Sequence, residues 1–135
     1  MRNLWIGIAA LALAGCGIGA SVPAAKGEVD KFHRMLDAGQ FAEIYRGASK
    51  DMHGTSSEAE LVALLEAVHE RLGSFRSAPD PGWNDQWNNG DHFMTLTYDS
   101  KYERGEAEET FVFRVVDDKP TLGGYHIKSK ALLGD

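Results

Sequence analysis

The apolar residues of this chain change their spacing once, at Gly73. Before it, Leu61, Leu64, Leu65, Val68 and Leu72 recur at three and four residues, the spacing that lines one face of an α-helix. After it the period is two. Met94, Leu96, Tyr98 and Tyr102 share one face of an extended segment, as do Phe111, Phe113 and Val115, with Val112 and Val116 opposite, and then Tyr125 and Ile127. Helices first and consecutive strands afterwards predict an α+β domain, with N-terminal helices packed on an antiparallel sheet.

Local signals set the expected boundaries. A first helix is predicted over 28–38, with Val29, Phe32, Met35 and Leu36 along one side and Gly39 as its stop. A short second helix follows over 41–49, then a break over 51–55 centred on Gly54. Ser57 and Glu60 stand at capping-box spacing before the Leu61–Leu72 stripe, and Gly73 closes it. Glu66, Glu70 and Arg71 fall on the opposite, solvated face. Strands are predicted over 92–102, 108–117 and 121–130, with an earlier edge strand inside 74–87. Asn89-Gly90, Gly105 and the segment 117–120 are the hairpin signals.

The N-terminus is of another kind. Arg2 and the initiator amine precede an uncharged run, Leu4 to Ala14, and the small residues Ala14 and Gly15 precede the single cysteine, Cys16. Glycines at 15, 17 and 19 interrupt the run well short of the roughly 20 apolar residues that a membrane span needs. Leu13-Ala14-Gly15-Cys16 resembles the lipobox of bacterial lipoproteins. That resemblance implies a signal peptide over 1–15, cleavage before Cys16 and acylation of Cys16. Several acyl chains make a stable anchor where one holds marginally, so the bilayer is the first expected partner. Residue 17 is glycine. Lipoproteins kept in an inner membrane typically carry aspartate there, so the resemblance implies the periplasmic side of the outer membrane, or the outer face of the plasma membrane in a host with one membrane. Residues 16–27 read as a lipidated tether, the eleven from Gly17 reaching at most about 40 Å, and 28–135 as a single domain.

Removing Arg2 with the signal leaves 13 Lys and Arg against 20 Asp and Glu, a net of −7. With no basic run, nucleic acid is not an expected partner.

Further resemblance lies in several patches: Leu36-Asp37-Ala38-Gly39-Gln40-Phe41-Ala42-Glu43-Ile44-Tyr45, Arg71-Leu72-Gly73, Glu109-Thr110, and Gly124-Tyr125-His126-Ile127-Lys128-Ser129. With the element order, they resemble small bacterial lipoproteins that carry a domain of unknown function of the nuclear transport factor 2-like, or cystatin-like, superfamily. Residues 28–131 carry the likeness. It implies a curved, cone-shaped sheet with helices against it. Where such domains often have a tryptophan in the last turn, this chain has Pro120-Thr121-Leu122. The family offers no agreed catalytic residues to transfer.

Chemistry is sparse. Asp30 with His33 and Glu66 with His69 stand three apart, but a metal needs three or four converging ligands. Both pairs are expected on solvated helix faces, and no metal or cofactor is expected. No Gly-x-Ser-x-Gly elbow, cysteine nucleophile or phosphate loop is present. The faces expected to line the hollow of the sheet, Met94, Leu96, Phe111 and Phe113, are apolar. Trp83 and Trp87 stand out, because they sit in the polar, turn-rich segment 79–91 and fall on one side whether it is helical or extended. Together with Tyr98 they are the candidate ligand- or partner-binding residues, against the alternative that both pack over the sheet edge. The expected function is a membrane-anchored periplasmic lipoprotein whose domain binds a protein, a second copy or a small apolar ligand. The alternative is a hydrolase or isomerase using the hollow.

If Cys16 is the lipidated first residue, intact-mass analysis of membrane-extracted protein will show loss of residues 1–15 and added acyl mass. Cys16→Ser should release the protein from the membrane; normal retention of that variant would exclude this anchor.

Overall fold

The computed structural model describes residues 18–133; residues 1–15, expected to be a signal peptide, and Cys16 lie outside the described residues. Helices α1 (Val22–Asp37), α2 (Phe41–Arg46), α3 (Lys50–Thr55) and α4 (Glu58–Leu72) come first. Strands β1 (Phe75–Ser77), β2 (Gly82–Asn88), β3 (Asp91–Tyr102), β4 (Gly105–Val116) and β5 (Lys119–Lys128) follow, and α5 (Lys130–Leu133) ends the described chain. The domain is α+β, with helices followed by a curved, five-stranded antiparallel sheet.

Helix α1 starts at Val22, six residues before the predicted start and inside the segment 16–27 that was expected to be a tether. Small residues read as a linker, yet alanine is the best helix former, and proline in the first turn supplies a helical φ without losing a needed donor. Ala24, Ala25 and Lys26 behind Pro23 therefore carry the helix backwards. Ala25 joins Val29, Phe32, His33 and Leu36 in one buried stripe.

The predicted second helix divides at Gly47. Residues 51–55, expected as a break, belong to α3, because Ser49 caps it, its Oγ accepting from the Asp51 N–H at 3.3 Å. Buried Met52 and the carboxylate of Asp51 then fix this single turn to the sheet. Helix α4 matches its signals. Ser57 Oγ accepts from the Glu60 N–H at 3.1 Å, and Glu60 Oε1 accepts from the Ser57 N–H at 2.8 Å. Gly73 ends the helix at φ 78°, where a Cβ would come within 2.9 Å of the Glu103 Cβ.

Three consecutive two-residue hairpin loops build the sheet. Asn89-Gly90 and Asp117-Asp118 both take positive φ, at 53° and 86°, and at 53° and 63°, the backbone that matches the twist of paired strands. Glu103-Arg104 forms the third, and Gly105, expected in a turn, instead opens β4. The single edge strand expected before β3 is two strands set end to end along it. β1 pairs with Lys101 and Tyr102, and β2 with Asp91 to Thr97. Pro79 and Pro81 lie between them, each lacking a ladder donor.

The core lies between the helices and one face of the sheet. Phe111 is its centre, with Phe32, Tyr125 and Tyr98 rings at 5.0, 5.2 and 5.8 Å. Leu65 is fully buried in the same cluster. Leu65→Ala should therefore cost about 2–5 kcal/mol as a buried large-to-small change. Ser57→Ala should cost about 0.5–2 kcal/mol through the lost cap. Denaturant melts measure both, and a wild-type midpoint for Leu65→Ala would contradict this packing.

Candidate functional site

Period-two alternation on β4 carries a carboxylate into the core. Ala107, Glu109, Phe111, Phe113 and Val115 are all buried on one face, and Glu109 has no solvent exposure. A buried charge is costly unless each lone pair is met. Here Oε1 accepts from His33 Nε2 at 2.8 Å and from Ser100 Oγ at 2.7 Å. Oε2 accepts from Tyr102 Oη at 2.6 Å and Tyr125 Oη at 2.5 Å. Those four donors fill the roughly four acceptor positions of a carboxylate.

Burial alone would raise the affinity of Glu109 for its proton. The hydrogen bond and charge of His33, with the Tyr102 and Tyr125 hydroxyls, outweigh it and hold the carboxyl below its ordinary range. Burial, then the charge of Glu109, pushes both tyrosines far above theirs. His33 stacks face to face on Phe75 at 3.7 Å, and its Nδ1 is buried without a hydrogen-bond partner. Donation to a carboxylate assigns the proton to Nε2.

The expectation of a surface His33 is corrected. His33 is four residues from Val29 and three from Leu36, inside the buried stripe, and is 4% exposed. Its helical neighbour Asp30 is exposed, so that pair does not converge; Glu66 is exposed too, while His69 lies half-buried beside Phe41. Among the described residues no three His, Cys, Asp or Glu side chains come together as a metal site. The hollow is thus filled by a polar cluster as well as by apolar side chains. The signal for it was present, since Glu109 sits two residues before Phe111 and Ser100 two before Tyr102 in the registers already read as core.

A second polar cluster lies on the other face. Arg114 holds Asp51 through two bonds, Nε to Oδ2 at 2.7 Å and Nη2 to Oδ1 at 3.0 Å, and reaches Asp91 at 3.0 Å. The Arg114 hydrogen bond, opposed by partial burial and aided by Ser49, draws Asp51 down to about 2.

Trp83 and Trp87 lie on β2 rather than in a loop, 46% and 59% exposed. Register places them opposite Leu96 and His92, on the helix-covered face of the sheet but beyond the helices. Trp87 stacks on His92 at 4.2 Å. Asp85, between them, accepts from His92 Nε2 at 2.6 Å and from the Gly19 N–H at 2.7 Å. Tyr98 is diagonal to Trp83 on this face, but it is buried against Phe111, and burial with the charges of Asp30, Asp80 and Glu109 raises its hydroxyl to about 12.

A small apolar cleft opens at the opposite side of the sheet. Phe32 and Met35 of α1, Ile44 of α2, Phe113 and Leu122 line it, with Glu28, Lys31 and Glu43 at the rim, around a free volume of about 70 Å³. Wider, more polar clefts lie between β3, β4 and α5 and along the β5 edge beside α4. None of the three is lined by Glu109 or His33. No protein-family model, curated protein or solved structure matches the chain.

The depressed carboxylates make stability acid-sensitive. A group whose folded pKa lies below its unfolded value stabilises fully above the unfolded value and loses that contribution as pH falls through the folded one. For Asp51 the window runs from 3.8 down to about 2; for Glu109 it opens below 4.5. The contribution of these two carboxylates to the unfolding free energy should therefore be flat above about pH 5 and fall below it, each adding a slope of up to about 1.4 kcal/mol per pH unit. Glu109→Gln should be less stable at neutral pH and lose its share of that slope. A variant with wild-type acid dependence would show that Glu109 does not contribute.

Proposed function

We propose that this chain is a bacterial envelope lipoprotein, held by acylated Cys16 on the periplasmic side of the outer membrane, whose cone-shaped, cystatin-like domain works by binding. The lipobox-like Leu13-Ala14-Gly15-Cys16 and the glycine after it support the anchor and its address. The helices-first order and the run of long hairpins support the fold reading.

One observation carries binding over catalysis. The titratable pair in the hollow, His33 and Glu109, favours the alternative of a hydrolase or isomerase, since a general acid or base needs such a group. It must also reach a substrate proton, directly or through a water. Glu109 has all its acceptor positions taken by the protein's own donors, and neither residue lines any of the three clefts described above. The pair instead ties α1 to three strands.

The apolar cleft is the place for a ligand. An engineered cavity of about 150 Å³ takes benzene. One near 70 Å³ suits an aliphatic branch, such as a Leu or Val side chain offered by a partner protein. Lys31 between Glu28 and Glu43 would select the charges around that branch.

A photo-crosslinking residue at Met35 should give one dominant adduct in intact envelopes. Lys31→Glu, an exposed change worth about 0.5 kcal/mol or less in stability, should reduce that adduct several-fold. Adducts spread over many proteins, or indifferent to Lys31→Glu, would remove the cleft from the function. Turnover of an ester or isomerisable substrate that disappears in His33→Gln while the fold persists would favour the enzyme.

A further inference from the structure

We infer that the Trp83–Trp87 face of β2 seats in the headgroup region of the bilayer and orients the domain on the membrane. The inference rests on the lipid-anchor reading, and goes beyond it by naming the surface that meets the lipid.

The first ground is reach. Gly19 is docked on β2: its N–H donates to Asp85, and Trp83 packs so closely on it that a Cβ there would lie 2.7 Å from the Trp83 Cη2. Gly19 also has φ +81°, so the docked segment excludes a side chain for two separate reasons. Gly19 is three steps along the chain from Cys16, and at about 3.3–3.6 Å each those steps span at most about 11 Å. With Cys16 in the membrane surface, Gly19 and the tryptophan against it can stand no further away than that. The tether is thus a short strap fastened to the β2 edge.

The second ground is chemistry. Trp83 and Trp87 are large apolar groups left 46% and 59% exposed, and Ile18, the chain neighbour of Gly19, is 78% exposed. Indole has an apolar body and one polar N–H, and is enriched where hydrocarbon meets headgroups. Unpaired carboxylates would oppose contact with an anionic surface. Here Asp80 pairs with Lys26 at 3.0 Å, Asp85 is buried against His92, and Asp91 pairs with Arg114 at 3.0 Å.

The seat also disposes the rest of the molecule. Asp85, Met94, Phe113 and Leu122 are successive partners in one row across the sheet. The β2 end of that row would face lipid, and the Leu122 end, which lines the apolar cleft, would lie about 14 Å away across three strand spacings.

Cleavage before Cys16 removes Trp5, so the acylated protein keeps Trp83 and Trp87 as its two tryptophans. That protein, purified from membranes, would be reconstituted in vesicles of phosphatidylethanolamine and phosphatidylglycerol, with or without acyl chains brominated near the headgroup. Intact mass and flotation report the anchor; quenching of tryptophan emission reports the seat. Emission should fall with brominated lipid, more in Trp83→Phe, which leaves the better-exposed Trp87, than in Trp87→Phe. Acylated, floating protein with unquenched emission would overturn the seat while leaving the anchor intact; crosslinking of two chains through β2 in that sample would give the face to a second copy. Protein without acyl mass that fails to float would refute the anchor, and the seat with it.

Discussion

Placing a carboxylate at the centre of a small core is unfavourable by several kcal/mol unless its lone pairs are matched. Glu109 stands between Ala107 and Phe111 on the inner face of β4, without contact with water. Each of its partners comes from another element: His33 from α1, Ser100 and Tyr102 from β3, Tyr125 from β5. The group is satisfied only when the first helix and all three long strands stand in one register. A slip of one residue in β3 or β5 would turn Tyr102 or Tyr125 to the other face and leave the charge short of donors. The cluster therefore selects one arrangement of helix on sheet, which a purely apolar interface of Phe32, Phe111 and Leu36 would specify less sharply.

The two faces of the sheet divide the electrostatic work. Inside, Glu109 joins α1 to the strands. Outside, Arg114 lies 5.0 Å over the Phe93 ring and grips Asp51 and Asp91, drawing α3 against β5. There the Ser49 N–H donates to the Leu122 carbonyl at 2.8 Å, so one edge of the sheet is covered. At the other edge β2 has only β3 as a neighbour. Free edges usually carry lysine, proline or a covering segment. This one carries two exposed tryptophans and is met by Gly19, whose N–H donates to Asp85.

Much of the fold was legible because its signals are local. The capping box at Ser57 and Glu60, the Leu61–Leu72 stripe and the Asn89-Gly90 turn depend on residues a few positions apart, and each formed as read. The misreadings have a common cause. Ala24-Ala25-Lys26 has the composition of a linker, and the segment 51–55 contains a glycine, yet both are helical, because Ala25 and Met52 find burial against distant elements. His33 was read with Asp30 as a surface pair, although its spacing from Val29 and Leu36 already placed it in the stripe. Glu109 shared its register with Phe111 and Phe113. A charged residue in an apolar register reads as an exception until its partners, up to 76 residues away, are known.

By itself the sequence determined the class of the fold: the period of its apolar residues passes from helical to extended at Gly73, and short loops then force consecutive strands to pair antiparallel. It also carries the lipobox-like segment ending at Cys16, a local pattern that needs no fold to be read. Only the tertiary structure decided what the polar residues do. Whether Glu109 is solvated or sealed, whether Trp83 packs inward or stands at an edge, and how close Gly19 comes to β2 are set by contacts between residues far apart in the chain. Periodicity assigns a side chain to a face; which element covers that face is decided when the elements pack.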